Sequence, residues 1–115
     1  MKSFLKSFSH ACRGIVYAFR HERNFRIQVV IAVLVWLAAV WFPLQAWQRI
    51  IILLLIMTVL TLELVNTIFE RIIDVVKPQL ATFVREIKDL MSAAVFLASL
   101  FALAIGLFIF WPYVF

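Results

Sequence analysis

The sequence predicts an all-α membrane protein, with an N-terminal amphipathic surface helix followed by three transmembrane helices. Three observations carry that fold class. Of 115 residues, 66% are hydrophobic, a share that fits a membrane protein and not a soluble core. The apolar residues fall into three runs, 27–44, 50–69 and 90–110, each close to the ~20 residues that cross a hydrocarbon core. Glycines and prolines number only two and three, which leaves few places for hairpin turns, and the short alternating segments of a membrane β-barrel are not seen. No internal repeat or composition shift divides the chain, so residues 1–115 read as a single domain.

Residues 3–21 form the surface helix. Phe4, Phe8, Cys12, Ile15, Val16 and Phe19 recur at helical spacing, while Lys2, Lys6, Arg13 and Arg20 fall largely on the rest of the wheel, suited to anionic headgroups. Gly14 interrupts the helix and permits close approach of a lipid or a neighbouring helix. Cys12 is the sole cysteine, which excludes an intrachain disulfide and gives no zinc cluster. The polar stretch His21-Glu22-Arg23-Asn24-Phe25-Arg26 marks the membrane edge. In the first span, Ile27 to Leu44, Gln28 is the one plainly polar residue and Pro43 is expected to end the helix. The connection to Arg49 is so short that the first two spans must form a tight antiparallel hairpin, with Trp41 and Trp47 in the aromatic belt.

The second span, Ile50 to Phe69, continues past the membrane through Glu70, Arg71, Asp74 and Lys77, with Pro78 expected to end it. A polar connection, Gln79 to Asp89, is expected to be helical again from about Ala81. The third span, Leu90 to Phe110, carries no charge, and Trp111 and Tyr113 anchor its far end.

Net charge is +5, and its placement is more informative than its size. Six basic residues precede the first span, and Arg71, Lys77, Arg85 and Lys88 lie between the second and third; Arg49 stands alone in the other connection. The bias places the N-terminus and the second connection on the cytoplasmic side, with the first connection and the C-terminus facing outward. Nucleic acid, the usual partner of a basic chain, is not expected, because these charges flank membrane spans. A cleaved signal peptide is not expected either, since the first apolar run starts behind a helix-length element.

The residues that point to chemistry are acidic. Glu63, Asn66 and Glu70 stand at i, i+3 and i+7 and share one helix face. Carboxylates at a membrane edge are costly unless they hold a metal, a proton or a partner. Glu22, Asp74 and Asp89, with Lys88 beside the last, lie at the same cytoplasmic edge. Oxygen ligands without a Cys or His pair favour a hard cation such as Mg²⁺, and Mg²⁺ with a lysine suits nucleotide phosphates. A carboxylate set deeper than the metal ligands could accept the proton of a lipid hydroxyl. No Gly-rich phosphate loop is present. The residues alone leave three readings open: phosphate transfer from ATP to a lipid alcohol, ion or proton transport, and a structural or partner-binding role.

These residues resemble the small prokaryotic integral-membrane lipid kinases, the diacylglycerol kinase and undecaprenol kinase family, from about Phe8 to Pro112. The resemblance runs through Glu22-Arg23-Asn24-Phe25-Arg26, Glu63-Leu64-Val65-Asn66-Thr67-Ile68-Phe69-Glu70, Asp74, and Lys88-Asp89 with Ser92. It implies a homotrimer with active sites between subunits, ATP as co-substrate and Mg²⁺ as cofactor. In that frame Glu63 matches the proton acceptor and Asn66 the residue supporting Glu63 and the phosphoryl group. Glu22 and Glu70 match the Mg²⁺ ligands. Asp74, Lys88 and Asp89 belong with the nucleotide, and Arg13 and Ser92 with the lipid substrate. The junction His-Glu-Arg-Asn-Phe-Arg is more similar to the undecaprenol branch, with diacylglycerol as the alternative lipid. The chain departs from the family at Ile68, where alanine is usual, at Met91, and at Pro78-Gln79-Leu80-Ala81, where many members carry Tyr-His.

Overall fold

In the computed structural model of the chain, residues 1–76 and 81–115 are described. They form four helices: α1 (Lys2–His21), α2 (Arg23–Trp41), α3 (Ala46–Val76) and α4 (Ala81–Val114). The last three are long and apolar enough to cross a membrane, with mean hydropathies of 1.8, 2.3 and 2.6. α1 is instead strongly amphipathic. Packing is sequential: α1 lies on α2, and α3 packs against both α2 and α4.

Each boundary has a local cause. α1 and α2 are separated only by Glu22, extended at φ −112° and ψ 108°. Carbonyls at the end of a helix have no intrahelical donor. Here the Arg26 guanidinium, from the first turn of α2, donates to Phe19 O at 3.0 Å and Arg20 O at 2.9 Å. A cation at a helix C-terminus also meets the negative end of the helix dipole. Because the chain turns after one residue, α2 begins at Arg23, four residues before the expected start of the first span.

α2 also ends earlier than expected, at Trp41 and not at Leu44. Phe42 precedes Pro43, and a residue before proline is pushed out of the α region; it is extended, at φ −75° and ψ 151°. Arg49 closes this turn, donating through Nε to Ala39 O at 2.9 Å and through its terminal nitrogen to Phe42 O at 3.1 Å. That explains the lone basic residue on the outer side: its charge is committed to the end of α2. Gln48 Oε1 accepts the Gln45 backbone N–H at 2.8 Å, one half of a capping box at the start of α3. The same oxygen accepts the Tyr113 hydroxyl at 2.8 Å, which fastens the outer end of α4 to α3.

The tightest packing lies at this outer end, where Ala39, Leu44, Ile52 and Ile109 are buried together. Ala39 is 0% exposed, because a small residue lets two helix backbones approach closely. Most other large apolar side chains are exposed, as lipid-facing residues are.

α3 has 31 residues, so it is about 46 Å long at ~1.5 Å per residue, well beyond the ~30 Å of hydrocarbon. Counted from Ile50, where the apolar run begins, ~20 residues of α3 span the hydrocarbon, which puts Glu63 inside the span and Glu70 at its cytoplasmic edge. The helix runs on to Val76 as expected; Lys77 and Pro78, expected to follow and end it, lie outside the described residues, as do Gln79 and Leu80. α4 begins at Ala81 and is continuous through the third span to Val114, with Pro112 in its last turn.

Candidate active site

The stripe on α3 is the polar centre of the molecule. Glu63 is 5% exposed, and with Thr67 it makes up the buried polar residues of the described chain. Thr67 Oγ donates to the Glu63 main-chain carbonyl at 3.0 Å, so the hydroxyl is satisfied along its own helix and leaves the Glu63 carboxyl alone. Asn66 and Glu70 are half-buried. The Asn66 amide donates to Glu70 Oε1 at 3.1 Å. The resemblance places Asn66 as a support for Glu63; its amide is engaged by Glu70, one turn along the helix.

Glu22 joins this stripe from the α1–α2 junction. Its side chain reaches the guanidinium of Arg71 on α3, the residue after Glu70. Glu22 thus comes to the end of the stripe from another part of the chain, a position that helical spacing could not have given it. Arg71 is the cation beside Glu70 and Glu22. Its guanidinium comes within 3.9 Å of Glu22 Oε1, with side chains 50% and 23% exposed. It also lies 5.0 Å from the centroid of the Tyr17 ring on α1. Tyr17 stacks on His21 at 4.2 Å between centroids, and His21 Nδ1 donates to Tyr17 O at 2.9 Å. The ion pair is long and half in solvent, worth about 0–1 kcal/mol, and the cation–π contact about 0.5–1 kcal/mol.

The remaining predicted residues stand apart. Asp74, Lys88, Asp89 and Ser92 are exposed and make no side-chain hydrogen bond or ion pair among the described residues. Arg13 is exposed on α1, its guanidinium 3.0 Å from His10 Nδ1. The departure at Ile68 is exposed and Met91 is half-buried.

Among the described residues, no group of three or more His, Cys, Asp or Glu side chains could hold a metal ion. Mg²⁺ does not need such a cage, since it is commonly held by one or two carboxylates together with substrate phosphates and water. A pair of hard carboxylates on the cytoplasmic side of a buried third one fits that pattern.

An apolar groove of about 390 Å³ opens between α2 and α4, with α3 as its floor. Its floor includes Ile52, Ile56 and Leu60, and Glu63 continues the same stripe at helical spacing. Gly106 adds no side chain to the α4 wall, and a methyl group there would meet nothing within 4 Å. Gln28 and Ser99 are the polar residues of the lining, and Ser99 Oγ is buried with no hydrogen-bond partner among the described residues.

Sequence reading missed Arg71 and Tyr17. Arg71 was visible only as one more cytoplasmic basic residue. The available signal was its position next to Glu70.

The family model for prokaryotic diacylglycerol kinase matches residues 9–110. The undecaprenol kinase of Bacillus subtilis is 35% identical over 112 residues, covering 97% of this chain and 91% of that protein. A diacylglycerol kinase of Synechocystis is 36% identical over 105 residues, covering 90% of this chain and 60% of that longer protein. A diacylglycerol kinase of Escherichia coli is 25% identical over 109 residues, covering 95% of this chain and 89% of that protein. The matched region takes in the carboxylate cluster and all three membrane-spanning helices, and the chain belongs to the prokaryotic diacylglycerol kinase family of integral inner-membrane lipid kinases.

Proposed function

We propose that this chain acts as one lipid-kinase domain, assembled as a homotrimer, that transfers the γ-phosphoryl group of ATP to undecaprenol. The observation that carries the reading is the place of Glu63: a carboxylate 5% exposed, in the cytoplasmic third of the apolar span and in line with an apolar groove. A lipid tail lying along that groove would bring its terminal hydroxyl to the depth of Glu63. Glu63 then accepts the hydroxyl proton as the oxygen attacks the γ-phosphorus and ADP leaves.

Glu22 and Glu70 are the residues suited to hold Mg²⁺, which when bound neutralises charge on the nucleotide phosphates. Asn66 orients Glu70 through its 3.1 Å hydrogen bond. Lys88 and Asp89 serve the nucleotide, with Asp74, and Arg13 and Ser92 serve the lipid headgroup. In the trimer that the resemblance implies, a neighbouring subunit would bring its carboxylate cluster against Lys88, Asp89 and Ser92, which are exposed in a single chain. The cytoplasmic placement follows the Lys and Arg bias and puts the site where ATP is.

Overall identity does not choose the lipid, since relatives named for either substrate match at 35% and 36%. The preference for undecaprenol rests on the junction His21 to Arg26. The test uses purified protein in mixed micelles with labelled ATP and Mg²⁺, and offers undecaprenol and diacylglycerol separately. Label entering undecaprenol is expected. Label entering only diacylglycerol overturns the substrate, and label in neither overturns the kinase reading.

A further inference from the structure

The carboxylate cluster poses an electrostatic problem that its own residues do not solve. Glu63, Glu70 and Asp74 follow one another along α3, and Glu22 meets that helix at Arg71, beside Glu70. A polyphosphate approaching them is repelled unless cations face it. One or two metal charges offset only part of that repulsion.

Two of the arginines near the junction are already committed. Arg26 is engaged with the end carbonyls of α1, and Arg13 is turned to His10 on the surface helix. Arg71 differs from both. Its guanidinium carbon lies over the Tyr17 ring, 5.0 Å from the centroid, a cation–π contact that uses none of its N–H donors. Its one ionic contact among the described residues is Glu22 at 3.9 Å, too long for a hydrogen bond. It makes no hydrogen bond among the described residues, and half of its side chain faces solvent. A guanidinium carries five donors in a fork that matches phosphate oxygens.

We infer that Arg71, held by Tyr17, is a phosphate-binding residue of the site, and that it takes a phosphoryl group as its ligand. Two sources offer that chemistry: the polyphosphate of the nucleotide and the phosphate monoester of the lipid product. The ring keeps the guanidinium beside Glu22 and above the cluster without occupying its donors, so the fork is ready when phosphate arrives. Glu22, released from this loose contact, remains available to the metal. The inference rests on the kinase reading above and adds to it a residue to which the resemblance assigns no role.

The test measures equilibrium binding to the purified protein in detergent and does not depend on turnover. One arm titrates a non-hydrolysable ATP analogue with Mg²⁺, and a second titrates a lipid phosphate monoester in micelles. Each compares the wild type with Arg71→Gln, Arg71→Lys and Tyr17→Leu. Loss of a charge-assisted hydrogen bond at Arg71→Gln is expected to weaken analogue binding about tenfold or more, with Arg71→Lys between it and the wild type. Tyr17→Leu keeps the charge and loses the platform, and is expected to weaken binding about threefold. Should Arg71→Gln fail to fold, the last two variants carry the comparison. Weakening confined to the lipid arm assigns Arg71 to the product's phosphate. Wild-type affinity of the variants in both arms overturns the inference while leaving the kinase reading intact. A wild type that binds neither probe overturns the kinase reading and this inference with it.

Discussion

Replacing Glu63 by glutamine separates chemistry from binding more cleanly than any other single change. The two side chains are nearly isosteric, so a position only 5% exposed is not emptied or overfilled. The Thr67 hydroxyl bonds the Glu63 main-chain carbonyl, which the substitution leaves in place. Glutamine carries no charge into this buried position, so neither folding nor the approach of an anionic nucleotide is made harder. What is lost is the proton acceptor. A positioned general base contributes about 10²–10⁴ in rate, which is roughly 2.7–5.4 kcal/mol at ~1.36 kcal/mol per tenfold. We expect kcat for lipid phosphorylation to fall by that factor while KM for Mg-ATP stays the same or falls slightly. The assay is initial rate against Mg-ATP concentration in mixed micelles at saturating lipid, with analogue binding measured in parallel. A fall in kcat of less than tenfold refutes the base role. So does a loss of nucleotide binding as large as the loss of turnover, which would make Glu63 a binding residue.

Other expectations follow from named contacts. Asn66→Leu removes the donor that holds Glu70, and a supporting residue of this kind is worth about 10- to 100-fold in metal affinity. The Mg²⁺ concentration for half-maximal rate should rise by that factor, and rise again for Glu70→Gln; an unchanged Mg²⁺ titration in Glu70→Gln argues against its place as a ligand. Arg49→Met leaves the carbonyls of Ala39 and Phe42 without their donor. It should lower stability by about 1.5–3 kcal/mol, read as a reduced melting temperature in detergent, with activity per folded molecule retained. Ala39→Leu forces a large side chain into a position with 0% exposure and should cost about 1–3 kcal/mol in the same assay. A melting temperature equal to wild type would show that α2 and α3 are not in close contact there.

The sequence by itself determined the number of helices, the membrane topology and the principal polar stripe, because each is a local property. A run of about twenty apolar residues crosses a bilayer wherever it occurs, and Glu63, Asn66 and Glu70 share a face of any helix that contains them. The family was legible on the same grounds, since its motifs are short and contiguous. Helix ends were read less well where a neighbouring element sets them. α2 starts at Arg23 because Glu22 breaks the chain in one residue and Arg26 caps the helix before it, and it stops at Trp41 because Pro43 acts on Phe42.

Tertiary structure decided which residues meet. α2 is apolar nearly all round and carries no amphipathic signal to say which side packs on α3. Only the fold singled out Ala39 as the point of closest approach. Glu22 lies forty-nine positions before Arg71 in the chain, and the two meet because the α1–α2 junction lies beside the end of α3. Arg49 on the end of α2, Tyr113 on Gln48, and Arg71 between Tyr17 and Glu22 likewise join separate elements. Such pairings depend on the crossing of helices and the length of the turns between them. Hydrophobic periodicity along one helix records neither.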